Sequence, residues 1–276
     1  MTRAAAARLP DGRLHLQDGP IDLVIHAEGP RAAAALSAAA RRFVGLLDEL
    51  CAELPALRAP SGAPLQGLVA RRMGAAVAPH AARGFITPMA AVAGAVADEI
   101  LAAMVEGGGL TRAYVNNGGD IAVHIAAGER LTLGVVDRPD RPDLFARALI
   151  EPGIGGVATS GAPGRSFSLG IADAVTILAA DAATADAAAT VVANAVDLPG
   201  RAGILRLPAN VILPDSDLGA LPVTRLVPPL ARDEIDAALA AGAAVAHALL
   251  AEGRIVAALL RLQGESRTVD PARRLT

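Results

Sequence analysis

The segment RAYVNNGGDIAVHIA, residues 112–126, predicts the fold because it reads as two short strands joined by a tight turn. Arg112–Asn116 and Ile121–Ala126 have the composition of strands, and the Asn-Gly-Gly-Asp sequence between them is a hairpin signal. Strands joined by a tight hairpin are antiparallel, whereas parallel neighbours need a long crossover. The segment therefore favours an antiparallel sheet.

The flanking sequence shows a similar succession of hairpins and helices. A hairpin of Arg13–Gln17 and Ile21–His26 precedes a long helix that begins near Pro30 and ends before Pro55, and a second helix begins at Pro88. Further strands are predicted at 156–159, 166–169, 174–179 and 255–262, and further helices at 182–196 and 232–252. This order predicts an α+β protein with antiparallel or mixed sheets packed against long helices. We expect one domain, residues 1–276, or two merged repeats, 1–110 and 111–276.

The composition and charge restrict the class of protein. Hydrophobic residues make up 53% of the chain, but Asp98 and Glu99 interrupt the apolar run Pro88–Val105, so we expect no membrane insertion. The first ten residues lack the apolar core of a secretory signal, which predicts a cytoplasmic protein. A net charge of −3 and an aromatic content of 2% argue against nucleic-acid binding. The chain contains no lysine, which excludes a Schiff-base lysine and the lysine of a phosphate-binding loop.

The turn between the two central strands is the first candidate ligand site. It consists of Asn116, Asn117, Gly118, Gly119 and Asp120. Paired glycines let the backbone approach a ligand, and the Asn and Asp side chains can bond either the loop or a bound molecule. The alternative is a hairpin turn with no further role.

The second candidate site follows an apolar strand. Thr159, Ser160, Gly161, Arg165 and Ser166 offer hydroxyl, backbone N–H and guanidinium donors that suit phosphate oxygens. A surface loop without a ligand is the alternative.

The third candidate site is a polar stripe on the helix predicted at 182–196. Asp186, Thr190 and Asn194 are spaced four residues apart and so share one helix face. Such a stripe is usually the solvated side of a helix. This one has no long charged side chain, however, and a carboxylate with a hydroxyl offers the oxygen ligands that Mg²⁺ prefers.

In this order, the three sites resemble the ApbE-like superfamily, whose best-known members are flavin transferases that move FMN from FAD onto a protein hydroxyl. The matching pieces are Asn116–Asp120, Ala158–Gly161 and the Asp-x-x-x-Thr spacing of Asp186 and Thr190. The helix Pro88–Val105 matches more loosely. The resemblance implies an α+β fold with a duplicated, T-fold-like core.

The resemblance also implies roles for individual residues. Asp186 and Thr190 would ligate the magnesium ion beside the FAD pyrophosphate. Thr159, Ser160 and the Gly118–Asp120 segment would line the dinucleotide cleft.

The chain departs from the family pattern at two places. Family transferases carry a lysine in the helix that aligns with Pro88–Val105, and this chain has none. They also carry His-Ile-Ile-Asp-Pro where this chain has Gly-Ile-Ala-Asp-Ala at 170–174, so Gly170 replaces the histidine. Asp173 is then the one evident candidate for a catalytic base.

Three hypotheses follow. The first is a Mg²⁺-dependent protein that binds FAD or FMN and transfers FMN to an acceptor flavoprotein. The second is a non-catalytic FAD carrier or sensor, and the third is an enzyme that acts on another small substrate in the same cleft. The alanine-rich helices are compatible with packing inside one chain or across a homodimer.

Overall fold

The computed structural model describes residues 4–60, 62, 64–136, 144–164 and 166–276. Among them the strands are β1 (Ala5–Arg8), β2 (Leu14–Asp18), β3 (Ile21–Glu28), β4 (Arg112–Asn117), β5 (Asp120–Ile125), β6 (Leu131–Val136), β7 (Leu144–Ile150), β8 (Gly156–Ser160), β9 (Ala174–Ala179), β10 (Leu205–Pro208), β11 (Pro222–Leu226), β12 (Ala257–Leu262) and β13 (Glu265–Val269). The helices are α1 (Ala32–Phe43), α2 (Leu46–Ala52), α3 (Leu54–Leu57), α4 (Leu68–Val77), α5 (Val92–Val105), α6 (Ala182–Ala195), α7 (Ala209–Ile212) and α8 (Arg232–Ala251). Two 3₁₀ segments cover Ala78–Arg83 and Pro88–Ala91.

The described residues divide into two compact units. The first unit comprises Met1–Leu131, Ile150–Ala158 and Ala179–Ala187. The second comprises Thr132–Leu149, Thr159–Leu178 and Ala188–Thr276.

The first unit is built on an antiparallel sheet with the strand order β1-β2-β3-β4-β5-β8. The predicted central hairpin is present, and Asn117 of β4 pairs with Asp120 of β5. Gly118 and Gly119 have φ angles of +66° and +114°, the left-handed conformation that two-residue hairpin turns require and that glycine adopts without strain.

Helix α5 is the central helix of the first unit. It packs against β4, β5, α1 and α4, and Ala95, Val96 and Ile100 are fully buried. Burial of these apolar side chains against the sheet contributes to the hydrophobic stabilisation of the unit.

The second unit contains antiparallel strands in the order β9-β12-β13, with β12 pairing to both neighbours. Two further strand pairs, β6 with β7 and β10 with β11, belong to the same unit. Helix α8 packs against β12 and β13. Antiparallel sheets packed with helices confirm the predicted α+β class.

Two predicted elements were wrong. The long helix expected from Pro30 to Pro55 is broken into α1, α2 and α3, and Gly45 at the first break has a φ of +83°. The strand expected at 166–169 is not formed. The backbone N–H of Leu169 bonds the Asn194 side chain at 2.9 Å, so a side chain takes the place of a ladder partner.

Two helical stretches, Pro88–Val105 and Arg232–Ala251, are long and apolar enough to cross a membrane by length and composition alone. The first is 61% buried inside the structure and the second 39%. The first also contains Asp98 and Glu99, which are each 8% exposed. Core helices pass the same length and composition test, so this is weak evidence for a membrane span.

Candidate functional site

The N-terminus of α6 is occupied by two carboxylates of the protein itself. The first N–H groups of a helix have no partner within the helix. Asp181 caps α6, because its Oδ1 accepts the N–H of Thr184 at 2.7 Å. The buried carboxylate of Asp98, on α5, accepts the N–H groups of Ala182 at 3.0 Å and Ala183 at 2.9 Å. These amides are therefore already bonded and do not form a phosphate site.

A second hydrogen bond joins the same two helices, but here the carboxylate is on α6 and the amide is on α5. Asp186 lies on the first turns of α6 and is half-buried. Its Oδ2 accepts the N–H of Gly94 in the first turn of α5 at 3.0 Å. Each of the two helices thus supplies a carboxylate to the N-terminal amides of the other, an arrangement that we call the reciprocal cap (Asp98 with Ala182 and Ala183, Asp186 with Gly94).

Gly94 makes the reciprocal cap possible. A Cβ atom at this position would lie 2.2 Å from the carbonyl oxygen of Ala182 and 2.8 Å from the nitrogen of Ala183. Both contacts are with backbone, which cannot rotate out of the way. Only glycine allows α5 to approach the first turn of α6 this closely.

The electrostatics around Asp186 are unfavourable for a bare carboxylate. Burial raises its pKa well above the ordinary value, and the charges of Asp120 and Asp98 raise it further, although the N–H groups of Gly94 and Ala93 lower it. Burial also raises the pKa of Asp98 to about 6, against the lowering effect of its two backbone donors. A bound cation would relieve this concentration of negative charge.

The predicted turn at 116–120 is partly structural. The side-chain oxygen of Asn116 accepts the N–H of Gly119 at 2.8 Å, which closes the hairpin. The buried Asn117 donates from Nδ2 to the carbonyl oxygen of Ala93 at 3.1 Å, which attaches the turn to α5. Gly118 and Gly119 are exposed, so their backbone is accessible to a ligand. The structure therefore brings this turn, Asp120 included, together with Asp186 in the first unit.

The second predicted group lies in the second unit. Thr159, in β8, has its hydroxyl 2.9 Å from the hydroxyl of Thr176 in β9. A Cβ on Gly161 would lie 2.3 Å from the carbonyl oxygen of Asp173, so these two residues are close. Ser160 is half-buried, and its side chain has no hydrogen-bond partner among the residues that the structure describes.

Two residues of the second candidate site, Arg165 and Ser166, have no described contact that supports a ligand site. Ser166 is exposed, and Arg165 lies outside the described residues. The glycines that precede the strand serve the fold, because a Cβ on Gly155 or Gly156 would lie 2.2 Å from backbone atoms of Ala180 and Asp181 respectively.

Asp173, the predicted base, also has a structural contact. Its Oδ2 accepts the backbone N–H of Gln263, which has a φ of +46° in the turn between β12 and β13. Nearby in sequence, Gly170 has no space for a side chain, because a Cβ would lie 2.1 Å from the carbonyl oxygen of Ala193. A side chain at position 170 would therefore clash with backbone, which is a steric reason for glycine there.

The predicted metal ligands Asp186 and Thr190 lie on one face of α6, four residues apart. Asn194, the last member of the stripe, bonds Leu169 and Ser168 and is therefore structural. Within the described ranges, no three His, Cys, Asp or Glu side chains are grouped so that they could hold a metal ion. The predicted pair does not need such a group, because water and phosphate oxygens complete the coordination of Mg²⁺.

Two cavities in the first unit are lined by none of the predicted site residues. One, of about 260 Å³, lies between α1 and the C-terminal end of α5, with Arg31 and Arg41 at its wall. The other, of about 460 Å³, adjoins α4, with Arg71 and Pro88 at its wall. Neither is lined by Asp98, Asp120 or Asp186, so the chemistry of the site, not cavity size, identifies it.

Sequence reasoning did not find the role of Asp98. Adjacent residues on a helix face different ways, and Asp98 and Glu99 do so. Asp98 bonds α6, whereas Glu99 accepts a bond from Arg42 at 2.7 Å and pairs with Arg72 at 3.5 Å. The available signal was the placement of two acids inside an apolar helix, since buried charges require partners.

The fold and the site define an α+β protein in which the Asp186 carboxylate accepts a hydrogen bond at the N-terminal end of the central helix, near the charges of Asp120 and Asp98. The family described as AbpE bacteria matches residues 6–268 of the chain. The chain therefore belongs to this family, which confirms the predicted resemblance to ApbE-like proteins.

Relatives of the chain carry the name UPF0280 protein, which states no activity. The relative from Methanothrix thermoacetophila is 42% identical over 120 residues, 42% of this chain and 49% of the relative. The one from Methanopyrus kandleri is 37% identical over 182 residues, 63% of this chain and 69% of the relative. The match thus spans about half the length of the Methanothrix protein and about two thirds of the Methanopyrus protein.

Solved structures similar to the chain include ApbE proteins at low identity. The apo form of the flavinyl transferase ApbE of Pseudomonas stutzeri is 12% identical with a TM-score of 0.45, over 98% of this chain and 94% of that one. The flavin transferase ApbE from Vibrio cholerae is 13% identical with a TM-score of 0.43, over 99% and 98%. Because these likenesses are weak, membership of the family rests on the sequence matches.

Proposed function

We propose that this protein binds a flavin nucleotide, FAD or FMN, together with Mg²⁺, and that it transfers FMN from FAD to a hydroxyl of an acceptor flavoprotein in the cytoplasm. Asp186 and Thr190 would hold the metal. The turn at 116–120 and the segment Thr159–Gly161 with Arg165 and Ser166 would contact the nucleotide, as the family resemblance implies.

The observation that carries the proposal is the charge at Asp186. This half-buried carboxylate lies beside the negative charges of Asp120 and Asp98, and its pKa is raised well above the ordinary value. A half-buried carboxylate beside two further carboxylates is suited to a cation. Carboxylate and hydroxyl oxygens are hard ligands, which favours Mg²⁺ over softer metals.

The surroundings of the turn suit a nucleotide. Nothing lies within 4 Å of the position where a Cβ would stand on Gly119, so a phosphate or ribose can approach the backbone there. A metal bound at Asp186 would neutralise the phosphates, and this positioning is the main contribution that proteins make to phosphoryl transfer.

The proposed reaction is a substitution at phosphorus. The acceptor hydroxyl oxygen forms a bond to the FMN phosphorus, the bond to the AMP phosphate oxygen breaks, and AMP leaves. Asp173, whose Oδ2 accepts the backbone N–H of Gln263, would accept the hydroxyl proton.

A non-catalytic FAD carrier is the second candidate function. It is favoured by the contact at Gly170, where a Cβ would lie 2.1 Å from backbone oxygen, because this leaves no place for the histidine of family transferases. The absence of lysine from the chain also favours a carrier.

The experiment measures FAD binding by equilibrium dialysis with Mg²⁺ and with EDTA, and AMP release in the presence of a hydroxyl-bearing acceptor protein. We expect Mg²⁺ to tighten FAD binding. Asp186→Asn keeps an acceptor for Gly94 but removes the charge, and it should weaken the Mg²⁺-dependent binding by about tenfold to a hundredfold.

The matched control is Asp181→Asn, on the same helix. Asparagine is as good a helix cap as aspartate, so this variant removes one charge near the site and should leave the Mg²⁺ dependence within about twofold of the wild type. Absence of FAD binding under every metal condition would refute both candidate functions. Binding without AMP release would support the carrier.

A further inference from the structure

We infer that Asp98 is a positioning residue for the Asp186 centre: it fixes the first turn of α6 on α5, so that Asp186 faces Gly94 and the turn at Asn117–Asp120. This inference deepens the proposed function and rests on it for the metal, but its geometric part can be tested without any ligand.

The first step of the argument is the bond pattern of Asp98. Its two carboxylate oxygens accept two successive amides of α6, those of Ala182 and Ala183, at 3.0 and 2.9 Å. A carboxylate held by two donors on neighbouring residues fixes rotation as well as distance, because one bond alone would leave the helix free to pivot. Asp98 is itself on a buried face of α5 and is 8% exposed.

The second step is the connection from this contact to Asp186. Ala182 and Ala183 begin α6, and Asp186 follows within the next turn. A change in the position of the first turn therefore moves the Asp186 carboxylate. The 3.0 Å bond from Gly94 to Asp186 is the other half of the reciprocal cap, and it depends on Asp98 although Asp98 does not touch it.

The third step is the connection to the turn. Asn117 bonds the carbonyl oxygen of Ala93, the residue next to Gly94. The backbone of α5 at 93–94 is thus bonded by the turn on one side and by Asp186 on the other. The relative position of Asp120 and Asp186, on which the charge of the proposed metal site depends, is set through this short piece of α5.

The structural test uses amide hydrogen exchange of the full chain without ligand. Asp98→Ala removes both acceptors, and Asp98→Asn retains one oxygen and offers an NH₂ group to the other amide. We expect the Gly94 amide to exchange about tenfold faster in Asp98→Ala, although its own acceptor Asp186 is intact, and to show an intermediate rate in Asp98→Asn. The amide of Ile25, in the buried strand β3, should keep its wild-type protection.

Two results would overturn the inference. Unchanged protection of Gly94 in Asp98→Ala would mean that α6 holds its position without Asp98. An equal loss of protection at Gly94 and Ile25 would mean that Asp98 contributes only to global stability. Asp181→Asn, which keeps the cap of α6, should leave Gly94 protection unchanged.

The functional test separates the affinity for Mg²⁺ from the fraction of protein that binds FAD. In Asp98→Asn we expect the Mg²⁺ concentration for half-maximal FAD binding to rise about tenfold, with FAD binding in EDTA and the stoichiometry unchanged. A purely structural role would lower the stoichiometry and leave the half-saturation concentration at the wild-type value. If the wild type shows no Mg²⁺-dependent binding, the proposed function has failed, and the exchange measurement still decides the positioning role.

Discussion

Substitution of Gly94 by alanine tests the close approach of α5 and α6 directly. The added methyl group would lie 2.2 Å from the carbonyl oxygen of Ala182, 2.5 Å from its carbon and 2.8 Å from the nitrogen of Ala183. Contacts this short are not tolerated, so the first turn of α6 must move away from α5. That movement stretches the bond between Gly94 and Asp186, 3.0 Å in the wild type.

The expected cost follows from three contributions. Overpacking a well-packed contact costs typically ~1–3 kcal/mol, and weakening a hydrogen bond to a charged group costs a further ~1.5–3 kcal/mol. Replacement of glycine by alanine within a helix recovers up to ~1 kcal/mol. We therefore expect Gly94→Ala to lower the free energy of unfolding by roughly 2–4 kcal/mol.

Urea denaturation provides the assay. The chain has no tryptophan and one tyrosine, Tyr114, which lies on β4 in the first unit, so tyrosine fluorescence reports on the affected unit. With a urea dependence of about 2–3 kcal/mol per M, the midpoint should fall by roughly 1 M.

The matched control is Gly74→Ala, in α4 of the same unit. A Cβ there would lie 2.8 Å from Cδ1 of Leu65, the end of a flexible side chain that can rotate away. We expect a change within about 1 kcal/mol in either direction. Equal unfolding midpoints for Gly94→Ala, Gly74→Ala and the wild type would refute the argument that the backbone contact at Gly94 determines the helix spacing.

Two further predictions concern a buried acid and a second close backbone contact. The pKa of Asp98 is about 6 in the folded protein, above its ordinary value of 3.8. Protonation of Asp98 therefore stabilises the folded state. This stabilisation is fully present below pH 3.8 and is lost as the pH rises through 6. Between pH 7 and pH 4 the free energy of unfolding should therefore gain roughly 2–3 kcal/mol from this group, and a urea titration series in which Asp98→Asn keeps the same pH slope would contradict the assignment. Gly170→Ala should destabilise the second unit by roughly 2–4 kcal/mol, because its Cβ would meet the carbonyl oxygen of Ala193 at 2.1 Å; a thermal midpoint equal to that of the wild type would show that this contact relaxes freely.

The elements that sequence reasoning predicted well are those with a strong local signal. The hairpin at Asn116–Asp120 follows from paired glycines, and β9 and α6 follow from an apolar run and an alanine-rich helical pattern. The elements that it missed have weak local signals. The short strand β1 consists of Ala-Ala-Ala-Arg, which has no strand preference of its own. Strand β13 is Glu-Ser-Arg-Thr-Val, in which four consecutive polar residues show no alternation of polar and apolar side chains.

Part of the candidate site was also visible in the sequence. The order of the three motifs and the Asp186-Thr190 spacing indicated the family, and the family match confirms that resemblance. The assignment of individual residues as metal, nucleotide or proton ligands remains a prediction.

The sequence by itself determined the class of fold, the family and the position of the polar residues along the helices, because hydrophobic periodicity and turn chemistry are local properties. Only the tertiary structure decided which polar groups meet. Asp98 and Ala182 are far apart in the chain, as are Gly94 and Asp186, and no local pattern encodes that they bond. The requirement to satisfy buried amides and carboxylates at two helix ends brings these residues together, and this requirement exists only once α5 and α6 are packed.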